Sequence, residues 1–246
     1  MKVSLAISLL KRLSAFLYRS ADRIITVGPG YRRRIISQYG IAPGKIDVVT
    51  NGVDLQLFEF RETDRRKYRQ QLGVGDDTVV LYLGTHGMAH GLDFVLEAAD
   101  RLRDRPIRFI FVGDGAEKPA LERLASERRL DRVKFIPPQD KDAVVGLYAA
   151  SDIALVPLRN VDLFTDVLPS KIFEIMGMRR PMIVSVDGDA RTEVERGGAG
   201  IFAQPENAPE LAEAIERLAS QPELRARMGA SGRRYVETHY PRSVLA

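Results

Sequence analysis

The sequence contains no cysteine and no tryptophan, and only three histidines in 246 residues. Without cysteine there is no disulfide, no thiolate nucleophile and no cysteine-based metal site, a composition that fits a reducing compartment. With no tryptophan and with basic residues scattered along the chain, a nucleic-acid surface is disfavoured, even though the net charge is +4 and the pI about 9.4. Long apolar runs are also missing. The stretch Val3–Leu10 is too short to span a bilayer, and Lys11-Arg12 follows it with no small-residue cleavage site. No fixed-period repeat and no low-complexity segment interrupts the chain.

Length and a 45% hydrophobic content allow one or two domains with a substantial core. Leu5, Leu9, Leu10, Leu13, Phe16 and Leu17 recur near helical spacing, so residues 1–20 read as an amphipathic helix. It either packs on its own protein or lies on a membrane surface. Strands are expected at Arg23–Val27 and Lys45–Thr50, with a basic helix between them from Tyr31 to Tyr39. From Thr78 onward apolar strands alternate with helices. Strands are expected at Thr78–Leu83, Ile107–Val112, Val133–Ile136, Ile153–Val156, Met182–Val186 and Gly200–Ala203. Helices are expected at Leu92–Arg103, Glu117–Arg128, Lys141–Ala150, Ser170–Met178, Pro209–Ser220 and Pro222–Thr238. This pattern implies an α/β fold, a doubly wound parallel sheet with ligands at the carboxyl ends of its strands.

The chemistry concentrates in the stretch from Asp166 to Gly177. Pro169 and Ser170 are helix-start residues. With Ser170 as N-cap, the N–H groups of Lys171 and Ile172 would lack helical partners and, beside the Lys171 ammonium, form a seat for phosphate. Glu174, one turn further on, offers two acceptor oxygens to a diol such as ribose, and Asp166 lies in the preceding loop. A second candidate is the glycine-rich loop Gly84-Thr85-His86-Gly87-Met88-Ala89-His90-Gly91, whose backbone can approach a ligand closely. His90 there can donate as a neutral imidazole or carry charge beside a phosphate. Gly113-Asp114-Gly115 has Lys118 where a dinucleotide fingerprint needs its third glycine, so it reads as a tight turn and NAD is excluded. Asp187-Gly188-Asp189 has the form of a D-x-D metal pair, but late in a doubly wound domain it reads as a solvated turn, and no metal site is expected.

On these residues the chain resembles the retaining GT-B glycosyltransferases of family four, group 1. Asp166 and Glu174 match the acid–x7–acid signature. The segments Ala21–Val27, Lys45–Val49 and Asn51-Gly52-Val53-Asp54 with Phe58 match the end of the first GT-B domain and its crossover. The resemblance implies that Glu174 holds the donor ribose and Asp166 the donor sugar. Pro169, Ser170, Lys171 and Ile172 would surround the distal phosphate. Gly84, Thr85, His86, Gly87, His90 and Gly91 would form the diphosphate loop, with Thr85 and His90 near the family's usual Arg and Lys, while Ile136 and Pro137 would line the base pocket. Asp166, Lys171 and His90 are the implied catalytic groups. The donor would be a nucleotide sugar, of the UDP type, with no cofactor and no metal. The acceptor would be a polysaccharide or lipid-linked saccharide. Similarity to cell-surface polysaccharide transferases such as N-acetylfucosamine transferases points to a cytoplasmic protein, at most peripheral to the inner face of the membrane. The implied division is 1–54, a remnant of the acceptor domain and crossover; 55–238, the nucleotide-sugar-binding domain; and 239–246, a tail. On this reading the chain is truncated at its N-terminus and pairs with a missing first domain. A GT-B nucleotide-sugar epimerase, a non-catalytic sugar-nucleotide-binding subunit and a purely structural remnant remain open.

Overall fold

The computed structural model describes residues 5–245. Helix α1 (Leu5–Ser20) leads into strand β1 (Ile24–Thr26), helix α2 (Pro29–Tyr39) and strand β2 (Ile46–Val48). β1 and β2 pair in parallel with Ile24 opposite Ile46, and Ile24, Ile35, Ile41 and Ile46 form a small core of their own. After a loop comes α3 (Glu62–Leu72). The alternating region follows as β3 (Thr78–Leu83), α4 (Leu92–Arg101), β4 (Ile107–Val112), α5 (Lys118–Glu127), β5 (Val133–Ile136) and α6 (Lys141–Ala150). It continues as β6 (Ile153–Pro157), α7 (Lys171–Gly177), β7 (Met182–Ser185), α8 (Asp189–Arg196) and β8 (Gly200–Phe202). It closes with α9 (Ala208–Ser220) and α10 (Pro222–His239).

The large sheet is entirely parallel, in the order β5-β4-β3-β6-β7-β8. Strand alternation assigns side chains to its two faces. Val79, Leu81, Ile110, Val112, Val156 and Val184 pack with α6, α7 and α8 on one face. Val80, Tyr82, Phe109, Phe111, Leu155 and Ile183 pack with α4, α5 and α9 on the other. The chain order reverses between β3 and β6, which opens a crevice at their carboxyl ends. The register sets Leu83 beside Val112 and Val112 beside Ile136, so the loops starting at Gly84, Gly113 and Pro137 emerge side by side.

The expected strands and helices of the alternating region are present, with ends shifted by a residue or two at most. Among the described residues, three α-helices had no counterpart in the sequence reading: α3, α8 and the short α11 (Arg242–Leu245) in the expected tail. α3 is too polar to show an apolar stripe and buries none of its residues. Tyr68 and Leu72 pack on the core only partly buried, and arginines fix the helix: Arg65 donates to the carbonyls of Ala149, Ala150 and Ser151 at the end of α6, and Arg65 and Arg69 both bind Asp152. Burial pushes the Asp152 carboxyl up, but Arg65, Arg69 and the Val79 N–H outweigh it, and the group sits below its ordinary value. α8 begins at Asp189, inside the expected solvated turn. Asp187 is exposed as expected, but Asp189 is buried and accepts from Gly30 N–H at 2.6 Å, so the solvated-turn reading is corrected for Asp189.

Candidate functional site

Three chain segments converge at the crevice. The loop after β3 runs through Gly84 and a single 3-10 turn, Met88–His90, into α4. It is pinned to the next βα turn: His86 N–H donates to the Asp114 carbonyl, and Glu117 N–H donates to the His86 carbonyl. A Cβ on Gly113 would lie 2.0 Å from the Gly84 carbonyl oxygen, which is why glycine stands there. A cavity of about 310 Å³ opens between them, lined by Gly84, Thr85, Gly113, Asp114, Pro138 and Gln139 among others. Pro138 and Gln139 line it in place of Ile136 and Pro137. The Ile136 carbonyl is occupied by Gly113 N–H, and the Pro137 carbonyl by the Gln139 amide. A cavity of equal volume at the amino ends of β4 and β5, with Arg103, Arg129 and Arg132, lies at the wrong end of the sheet for a doubly wound ligand site.

α7 supplies the charges. Lys171 Nζ donates to the Leu83 carbonyl at 3.0 Å and sits 4.6 Å from the Tyr82 ring centroid, directly beneath Gly84. Enclosure strips water from the ammonium and brings its pKa down to about 8, against a pull upward from Glu174. Burial raises the Glu174 carboxyl above its ordinary value, and Lys171, Lys141 and Arg242 oppose that rise. Tyr148, fully buried, has a hydroxyl with no hydrogen-bond partner, and Glu174 helps to raise its pKa after burial itself. Ser170 is the N-cap by position, but it has helical dihedrals and makes no side-chain cap. The expectation of a free Ile172 N–H is corrected: it donates to the Pro169 carbonyl at 3.1 Å, because the first turn tightens to an i→i+3 bond. The N–H groups of Leu168, Ser170 and Lys171 carry no hydrogen bond among the described residues.

Burial lowers the pKa of both loop histidines, His86 and His90, and so favours the neutral imidazole. Burial and Lys171 both lower the pKa of His90, with the Pro157 carbonyl opposing. His86 is completely buried against Tyr82, Phe111 and Phe135, with neither ring nitrogen bonded, and burial pushes it down to about 4. Its backbone, not its ring, faces the loop network. Gly87 and Gly91 bracket the 3-10 turn. Asp166 faces elsewhere: its carboxylate is held by Arg34 of α2. Arg159, which no motif marked, ties the loop down, its Nε donating to the Met88 carbonyl at 2.9 Å and its N–H to that of Ala89 at 2.9 Å. Among the described residues, no cluster of histidines and acids could hold a metal ion, and no helix is long and apolar enough to cross a membrane.

The sequence profile described as "Glycosyl transferases group 1" matches residues 64–235, most of the chain. The chain belongs to the group 1 glycosyl transferases. A second profile, "Glycosyltransferase Family 4", matches residues 3–57. Among curated relatives, the alpha-D-kanosaminyltransferase of Streptomyces kanamyceticus is 33% identical over 69% of this chain and 45% of its own length. The D-inositol 3-phosphate glycosyltransferase of Geodermatophilus obscurus is 31% identical over 88% of this chain and 49% of its own. The chain thus spans about half the length of the curated relatives it matches. Anabaena Alr3699/HepE, solved in complex with UDP-glucose, superimposes with a TM-score of 0.85 at 22% identity, covering 96% of this chain and 64% of that one. The fold shared with these glycosyltransferases is GT-B.

Proposed function

We propose that this group 1 glycosyl transferase chain binds a nucleoside-diphosphate sugar, of the UDP type, and serves as the donor side of a retaining transfer to a polysaccharide or lipid-linked acceptor. The observation that carries this reading is α7 at the crevice: one enclosed ammonium, Lys171, lies beneath the Gly84 loop, with the Glu174 carboxylate a turn away. The base would occupy the cavity beside Gly113 and Gln139. Glu174 would take the ribose diol, and Lys171 the diphosphate. Loop N–H groups left unbonded among the described residues, such as those of Thr85 and Gly87, with those of Ser170 and Lys171, would complete the anion seat. As the bond from the anomeric carbon to the diphosphate breaks, negative charge grows on the leaving oxygens. Catalysis on this side is then positioning and anion stabilisation, with the departing diphosphate able to accept the proton of the incoming hydroxyl. No metal enters this scheme. Residues 55–238 would form the donor unit, residues 1–54 a remnant of the acceptor domain with the crossover, and residues 239–246 a tail. Support comes from the separate small core around Ile24.

The test is calorimetric titration of the purified chain with UDP-glucose, with and without a chelator. Glu174→Ala should remove two hydrogen bonds to a charged acceptor, each about 1.5–3 kcal/mol, and cut affinity ten-fold or more. Binding should survive the chelator. An unchanged dissociation constant for the variant, or a strict metal requirement in the wild type, would defeat the assignment.

A further inference from the structure

Two arginines of α2 and two buried aspartates from beyond the donor sheet meet at one place. Gly30 N–H, in the first turn of α2, donates to Asp189 Oδ2 at 2.6 Å, and Arg33 Nη2 donates to Asp189 Oδ1 at 2.6 Å. Arg34 Nε donates to Asp166 Oδ2, while its Nη2 donates to the carbonyl and carboxylate of Asp162 at 3.1 and 3.0 Å. Arg33 also stands 4.0 Å from Asp166 Oδ1. The fit leaves no slack. A Cβ on Gly30 would lie 2.5 Å from Asp166 Cα, and one on Gly188, ahead of α8, 2.0 Å from the Thr165 carbonyl oxygen.

The weights differ. The Arg33 side chain keeps 62% of its area in solvent, so its pairs are weak. Arg34 and Asp166 keep 22% and 12%; without Arg34, Asp166 is a poorly solvated charge, and without Asp166, Arg34 keeps only the exposed Asp162. Asp189 lies at the amino end of α2, where the helix favours an anion. A carboxylate engaged this way by guanidinium has little left to offer a sugar hydroxyl.

We propose that Asp166 and Asp189, with Arg34 and Arg33, form an ionic latch that sets the unit of α2, β1 and β2 against the donor sheet. Asp166 is thereby a positioning residue rather than a ligand of the donor sugar. Only the words donor and sugar rest on the proposed function; the latch stands on the contacts alone.

Hydrogen exchange of the intact chain, read over residues 29–39, tests it alongside affinities for UDP and UDP-glucose. Asp166→Asn and Arg34→Gln should each speed exchange in α2 by about ten-fold or more, and the double variant should be no faster than either single one, the mark of a coupled pair. Arg34→Lys, which keeps the charge, should bring exchange back to within about three-fold of wild type, a rescue that a purely steric role would not give. Arg34→Gln should leave UDP affinity unchanged, and Asp166→Asn should leave the ratio of UDP-glucose to UDP affinity unchanged. Unaltered exchange in both single variants, additive losses in the double one, or a collapse of that ratio in Asp166→Asn would overturn the latch. A wild-type chain that binds neither nucleotide would refute the proposed function, while the exchange measurements would still decide the latch.

Discussion

Lys171 carries the most consequence per residue. Its ammonium is enclosed between the Leu83 carbonyl and the face of Tyr82, and its pKa is drawn down to about 8. The folded form therefore favours the neutral amine more than the unfolded chain does. Protonation costs the fold between pH 8 and the ordinary lysine value of 10.5, so this group's contribution to stability grows as pH rises through that window. Anion binding runs the opposite way, because only the ammonium attracts a diphosphate. UDP affinity should be flat below pH 8 and fall above it, approaching about ten-fold per pH unit until the bound anion's own pull on the proton is exhausted. Lys171→Met should bind UDP at least about ten-fold more weakly at pH 7 and show no such decline. Calorimetry from pH 6.5 to 9.5 checks both; a wild-type profile parallel to that of the variant would remove Lys171 from the site. The sequence marked Lys171 and Glu174 because a cation and an acid near a helix start are a local pattern. It did not mark Arg34 as the partner of Asp166, since that pair is separated by most of the chain and exists only through tertiary approach.

At the scale of elements, the decisive part is the loop between β3 and α4. Its glycines permit close approach, but permission is not rigidity. Rigidity comes from Arg159 at the end of β6, which binds the Met88 carbonyl, Asp93 at 2.9 Å and Glu206 at 2.8 Å, joining the loop to α4 and to the segment before α9. Arg159→Ala should loosen residues 85–91 and weaken UDP binding about three- to ten-fold, with the melting temperature moving only a few degrees. Faster exchange confined to this loop would accompany it; unchanged affinity would show that the loop needs no staple. Periodicity made the six strands of the large sheet and their covering helices legible, because burial on both faces demands continuous apolar strands. It missed α3 and α8, whose polar sequences form helices through Arg65, Arg69 and Asp189 contacts made elsewhere in the fold.

Across the whole molecule, apolar exposure is uneven. Among the described residues, the exposed large hydrophobics before residue 50 include Leu9, Leu10, Leu13, Phe16, Leu17, Ile25, Val27, Val48 and Val49, whereas Met88, Val161 and Leu163 complete the set beyond it. The large sheet is covered on both faces; the β1–β2 pair buries Ile24 and Ile46 on one face, leaves Ile25 open on the other, and exposes Val48 at the end of β2. Such a surface should drive concentration-dependent self-association of the purified chain. Leu13→Lys together with Phe16→Glu should shift sedimentation toward the monomer while leaving UDP affinity intact. A wild-type chain that is monomeric across micromolar concentrations would contradict this.

By itself the sequence determined the parallel α/β architecture, the carboxyl-edge position of the candidate site and the α7 charge pair. Each of these is written in residues close together in the chain: apolar runs, glycines at strand ends, a lysine and a glutamate one turn apart. The tertiary structure alone decided which groups are free and which are spent. Asp166 is taken by Arg34, His86 is sealed among aromatic rings, Ile172 N–H is bonded to Pro169, and Arg159 clamps the loop. The physical reason is that a side chain's availability depends on desolvation and on partners brought from distant segments. Neither has a local signature in sequence.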